Sequence, residues 1–317
     1  MKRNFTFLVF FFFAYTAFAQ QEAQFSHNMF NHMATNPGYA GLNQAICTKL
    51  IARQQWMGFA DEKNNKVSPQ TILFSIDGNV NPLRGGLGLS IYKDKLGFED
   101  NIGVKFGYAY HLNLGPGKLG IGVQVGLLNK SIDYSKFIAI DNDDPMLLDR
   151  SVKKTMIIDY GFGLFYKIPN KLYAGLSSDQ LAQTQSSFGA NASPKLKRHY
   201  YLTGGYYYQL PNNPEWEIDP SIFVKSDLTS TQFDINALVK YNNKFYGGLS
   251  YRATDAVVVL LGMYYKDFVF GYSYDITTSS LGREGRSSGS HEIMVGYCFK
   301  ITVEKKQGSY KNTRFFN

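Results

Sequence analysis

Charge is scarce in this sequence. Only 18% of its 317 residues are Asp, Glu, Lys or Arg, against roughly 25% in ordinary globular chains, and the Lys and Glu surface of helical bundles and coiled coils is missing. After the first twenty residues no apolar run reaches the ~18 residues of a membrane-spanning helix. Cysteine occurs only at Cys47 and Cys298, and the histidines, His27, His32, His111, His199 and His291, are not spaced as zinc ligands. The acidic run Asp141, Asp143, Asp144 and Asp149 lacks the central glycine of a calcium loop and has Pro145 where a ligand would stand. It reads as a solvated loop. No serine sits in a G-x-S-x-G turn, and the glycine clusters have neither G-x-G-x-x-G spacing nor a phosphate-binding lysine. No enzyme activity, cofactor or metal is therefore expected. The net charge of +8 includes Lys2 and Arg3 and is not clustered, so nucleic acid is not an expected partner.

What is plentiful is aromatic and small: 25 Phe, 23 Tyr and 30 Gly. The chain opens with Lys2 and Arg3, an apolar stretch from Phe5 to Phe18, and Ala17-Phe18-Ala19. These are the three parts of a secretory signal peptide, with residues 1–19 expected to be removed.

Beyond it, short segments of period two alternate with Gly, Asn, Asp and Pro clusters. Ile102, Val104, Phe106, Tyr108 and Tyr110 share one face, and Asn101, Gly103, Lys105, Gly107, Ala109 and His111 the other. The same split recurs at Phe233 to Tyr241 and Phe268 to Asp275. A soluble sandwich also alternates, but its thin core favours Val, Ile and Leu over tyrosines whose hydroxyls need partners. Tyr and Phe at strand ends suit the interfacial girdles of a membrane barrel in contact with outer-membrane lipid.

The expected fold is all-β: a transmembrane antiparallel barrel of about 14 strands over residues 44–301. Long connections at 57–68, 129–153, 179–196 and 276–289 alternate with tight ones such as Asn113 to Pro116 and Lys266-Asp267, which places both chain ends in the periplasm.

Residues 20–43, rich in Asn, Gly and Met, carry no strand pattern and could fold into the lumen as a plug. Inward glycines such as Gly86, Gly88, Gly120, Gly122, Gly126, Gly161 and Gly163 fit either close approach of that segment or simple strand curvature. Cys47 in the first strand and Cys298 in the last become neighbours in a closed barrel, and both face inward. They are a candidate disulfide in an oxidising compartment; two free thiols are the alternative.

Several strings stand in a telling order: Gln24-Phe25-Ser26, Met29-Phe30-Asn31, Asn36-Pro37-Gly38-Tyr39-Ala40-Gly41, and Arg53 with Gln55-Trp56. Further along come Asp159, Gly161 and Gly163, Tyr173 to Ser177, Gly271-Tyr272-Ser273-Tyr274-Asp275, and Ser290-His291-Glu292-Ile293. Together they resemble the PorP/SprF family of type IX secretion system outer-membrane proteins. Gly38 replaces the alanine of the usual N-P-A-Y-A-G. The resemblance implies a non-enzymatic outer-membrane component supporting secretion or surface attachment of large proteins, including adhesins of gliding motility. Its implied partners are type IX secretion subunits and the carboxy-terminal domains of cargo.

Within that frame Asn36, Pro37, Arg53 and Trp56 are candidates to seat the plug. The alternatives are a lumen ion pair with Glu292 for Arg53 and a girdle position for Trp56. His291 and Glu292 are expected to pack in the lumen near the seam. The tail 302–317, with Lys305, Lys306, Lys311 and Arg314, is a candidate periplasmic docking segment. The competing reading is a FadL-like channel for small hydrophobic molecules, which needs a continuous apolar pocket, whereas inward positions here are largely Gly, Ser, Asn, Lys and Asp.

Overall fold

Strands of period two present a different chemistry on each side, and in the computed structural model of this protein they close into a ring. Residues 22–61, 65–137, 151–185, 195–283 and 287–299 are described. The expected signal peptide, the acidic run at 141–149 and the basic tail lie outside the described residues.

The strands are β1 Ile46–Gln54, β2 Gln70–Val80, β3 Gly85–Leu96, β4 Glu99–Leu114, β5 Gly117–Asp133, β6 Val152–Ile168, β7 Leu172–Asp179 and β8 His199–Tyr206. They continue as β9 Tyr208–Leu210, β10 Asn213–Ser226, β11 Thr231–Tyr241, β12 Phe245–Arg252, β13 Ala256–Tyr265, β14 Phe268–Thr277 and β15 Ser290–Phe299. Neighbours in sequence pair antiparallel, β8 and β9 both pair with β10, and β15 returns to β1. The fifteen segments thus form a closed antiparallel barrel of fourteen staves. Closure leaves no strand edge unpaired, which the membrane interior demands.

The stave between β7 and β10 is split at Tyr207 into β8 and β9. The register does not slip there, since Ser221 faces Gly205 and Ile218 faces Tyr208. Pro220 therefore lies opposite Tyr206, and its nitrogen carries no hydrogen for the ladder.

One end of the barrel carries the start of β1, the end of β15 and only short turns; the other carries the segments 55–69, 134–151, 180–198 and 278–289. The outward face is mainly apolar: Leu261 is 55% exposed, while Leu260 beside it is fully buried inside. Tyr110, Tyr206, Trp216, Tyr241, Tyr265 and Phe299 are exposed near the short-turn end, an aromatic belt at one interface.

Cys47 and Cys298 are direct partners across the β1–β15 seam and are joined by a disulfide. It closes a loop of 251 residues in the unfolded chain, so its loss destabilises by about 2–4 kcal/mol. Maleimide should label two thiols only after reduction, and Cys47→Ser should lower the temperature at which the barrel loses its compact gel mobility. Labelling of the unreduced, denatured protein would show that the bridge does not form.

Inside the ring, residues 22–45 run from the loop end to the short-turn end through three 3-10 turns, Asn28–Phe30, His32–Ala34 and Pro37–Tyr39. Met29 and Phe30 pack on Leu238, Tyr246, Val258 and Leu260. Met33, Tyr39, Ala40 and Leu42 form a core with Ala109, Phe165 and Tyr173. This is where the barrel keeps its interior apolar contacts.

Candidate functional site: the lumen and its amino-terminal segment

The segment approaches the wall as bare backbone. A Cβ added at Gly120 would meet the Gly38 carbonyl, one at Gly122 the Gly38 nitrogen and Pro37 backbone, and one at Gly86 the Ala40 carbonyl. At Gly163 it would meet the Asn36 side chain. These four positions are glycine because the amino-terminal segment lies where a side chain would be. Gly126 differs, with its nearest neighbour at 3.7 Å, and serves the strand alone.

Asn36 fixes the turn at this contact. Its Oδ1 accepts from Gly38 N–H (2.8 Å), while its Nδ2 donates to the carbonyls of Leu164 (3.0 Å) and Leu176 (3.3 Å) on β6 and β7. Pro37 supplies the first turn residue with φ already set. Below it, Gly41 N–H donates to Asp77 (2.9 Å) and His111 Nε2 lies 2.8 Å from the Ala40 carbonyl.

On the seam side the segment enters a buried ionic clasp. Ser26 and His27 N–H groups donate to the two Glu292 oxygens, each at 2.8 Å, and His27 Nδ1 lies 2.7 Å from the same carboxylate. Arg53 donates through Nη1 to Ser26 Oγ (2.8 Å) and Glu292 (3.2 Å), and through Nη2 to Asp275 (2.7 Å). Arg252 donates to Asp275 (2.8 Å) and, through Nε, to Asp234 (3.3 Å). Ser26 Oγ donates in turn to Asp275 (2.8 Å). Ser26, His27, Arg53, Asp234, Arg252, Asp275 and Glu292 are all buried. Five strands, β1, β11, β12, β14 and β15, are thereby tied to two residues of the segment.

The opposite wall holds Glu22. Gln180 Nε2 donates to it (2.6 Å), the Tyr201 hydroxyl donates to it, and Lys225 Nζ reaches its carbonyl (3.1 Å). Burial opposes its charge, but Lys105, His199, the Tyr201 hydrogen bond and Lys225 overcome it and hold the carboxyl down at about 2.

The sequence profile described as "Type IX secretion system membrane protein PorP/SprF" matches residues 17–297. The chain belongs to the PorP/SprF family. No curated protein is similar to it. Among solved structures, the Ralstonia pickettii toluene transporter TbuX is 13% identical over 84% of this chain and 92% of its own, with a TM-score of 0.47. The P. putida toluene transporter TodX is 10% identical over 82% and 90%, at 0.42. A Pseudomonas aeruginosa FadL homologue is 10% identical over 81% and 89%, at 0.40. These likenesses say nothing of what the chain binds. As a PorP/SprF barrel the protein resides in the outer membrane, where short turns face the periplasm.

Of the residues singled out in this PorP/SprF sequence, Asn36, Pro37, Arg53 and Glu292 all touch the segment or belong to it. Arg53, for which plug seating and an ion pair with Glu292 are the alternatives, donates both to Glu292 and to Ser26. Trp56 is not brought there. It lies in the loop after β1, its backbone N–H donating to Ser290 Oγ (3.0 Å) and its ring against Phe59.

His291 corrects the expectation of a lumen position. It lies on the outward face, 2.8 Å from the Tyr272 hydroxyl, because period two sends it opposite to Glu292. Ser26, His27, Asp234, Arg252 and Glu22 were missed as contacts. Their signal was a charged or polar residue at an inward position, which names the face without naming the partner.

Proposed function

We propose that this protein is a non-enzymatic subunit of the type IX secretion system. Its barrel acts as a rigid binding platform and its amino-terminal segment, residues 20–43, as a plug. The observation that carries the reading is that the described part of this segment is bonded to opposite walls, at Glu292 and Asp275 on one side and at Leu164 and Leu176 on the other. A lumen occupied in this way suits capture of proteins better than passage of solutes. Partners in this reading are periplasmic secretion subunits and the carboxy-terminal domains of large surface proteins such as gliding adhesins, with Lys305, Lys306, Lys311 and Arg314 available for docking.

The test is purification of the tagged protein from outer membranes in mild detergent, with mass spectrometry of what accompanies it. Secretion subunits or a surface protein retaining its carboxy-terminal domain are expected. A solitary barrel that passes small hydrophobic solutes in liposomes would replace this reading with a FadL-like channel.

A further inference from the structure

Below the segment, at the periplasmic end, the lumen opens into a cavity of about 870 Å³. Met29, Phe30 and His32 of the segment line it, so a chain entering from the periplasm meets a dead end. The rest of its wall is divided in character. Phe165, Tyr173, Tyr207 and Tyr264 form aromatic surface, and Lys49 and Lys167 bring charge.

These two lysines share one carboxylate, the buried Asp77, which faces both by charge but is in ion-pair contact with neither among the described residues. Lys49 is only 9% exposed, yet among the described residues it makes no ion pair or hydrogen bond and has its Nζ 5.4 Å from the centre of the Tyr39 ring. Lys167 sits 5.9 Å from the same ring, and its one hydrogen bond among the described residues goes to the neutral Asn43 side chain (2.5 Å). Two buried ammoniums with one carboxylate between them leave a positive charge without its own partner, which is costly away from water and which a second carboxylate would relieve.

The other charges nearby are already engaged. Lys240 is paired with Asp219 (2.5 Å) and Glu217 (2.9 Å), and Asp77, which accepts from Gly41 N–H, is the one carboxylate set against Lys49 and Lys167 together. His32 feels the lysines: burial first, then Lys49 and Lys167, keep its imidazole well below the usual range and therefore neutral.

We propose that this cavity receives the free carboxyl end of a partner polypeptide, the carboxylate lying between Lys49 and Lys167 and the adjoining apolar side chain on the aromatic wall. The volume exceeds what an inorganic anion fills and lies in the range of sites for small organic ligands and short peptides. The dead end selects a chain terminus over an internal loop. The protein's own tail is a poor occupant, since Lys305, Lys306, Lys311 and Arg314 carry the same sign as the site. The inference rests on the reading that partners arrive from the periplasm.

The test uses the full-length protein in detergent and a fluorescent hexapeptide ending in phenylalanine, as the free acid and as the amide, with lauric acid as competitor. The free acid should bind at least about tenfold more tightly than the amide, with charge-assisted hydrogen bonds making the difference. Lys167→Gln, and separately Lys49→Gln, should erase that difference while the protein keeps its heat-modifiable gel mobility. Should Lys49→Gln fail to fold, the acid-to-amide ratio on the unaltered protein and on Lys167→Gln still decides. Equal binding of acid and amide overturns the proposal, as does lauric acid displacing the peptide at lower concentration than the peptide itself. If secretion subunits still co-purify in that event, the binding-platform reading stands and only this site is wrong. If tight acid-selective binding is found without any co-purifying subunit, the site stands and the secretion reading falls.

Discussion

Replacing Gly122 with valine should expel the amino-terminal segment from the lumen while leaving the barrel intact. Valine suits a strand better than glycine does, so β5 itself loses nothing. The added carbons, however, would occupy the space of the Gly38 nitrogen and the Pro37 backbone. Backbone on both sides cannot shift as a side-chain tip can, and the cost exceeds the ~1–3 kcal/mol typical of overpacking. The natural control is Gly126→Val, on the same strand and the same inward face, where nothing lies within 3.7 Å. Protease should cut between residues 22 and 45 only in Gly122→Val, and that variant alone should conduct ions strongly in planar bilayers. If both variants stay resistant and silent, the glycines serve curvature and the segment is held elsewhere.

The second large effect should come from Arg53→Met. The change leaves Asp275 and Glu292 buried with one donor fork removed, while Arg252 and His27 remain. Removing one partner of a buried ionic network costs about 3–5 kcal/mol, because the partner charges stay behind. Arg53→Lys should recover only part of it. A lysine keeps the charge but cannot reach Ser26, Glu292 and Asp275 from one planar group. The readouts are the urea midpoint of the detergent-solubilised barrel and protease access to the segment. A midpoint for Arg53→Met within error of the unaltered protein would mean that the clasp contributes geometry and not stability.

Much of this architecture is legible in the sequence because period two is a local property. Ile102 through Tyr110 and Phe233 through Tyr241 announce their faces without reference to the rest of the chain, and the tight turns at Gly115-Pro116 and Lys266-Asp267 mark where the staves reverse. The contacts of the lumen are another matter. Arg53 meets Asp275 across 222 positions, and only closure of the ring decides that β1, β12 and β14 point their charges at one spot. The glycine cluster shows the same limit: Gly122 and Gly126 look alike in sequence, and the Pro37-Gly38 backbone tells them apart. The misplaced His291 was avoidable, since Glu292 beside it could not share its face.

The clasp also bears on how the molecule is assembled. Ser26 is bonded to Arg53 on the first strand and, with His27, to Glu292 on the last, and those residues face each other in the pairing that completes the ring. The hydrogen-bonded seam and the seated segment therefore share their final contacts. A segment that entered after the ring had closed would have to insert Ser26 and His27 into an Arg53–Glu292 pair already made across the seam, so seating and closure are coupled through the same two side chains.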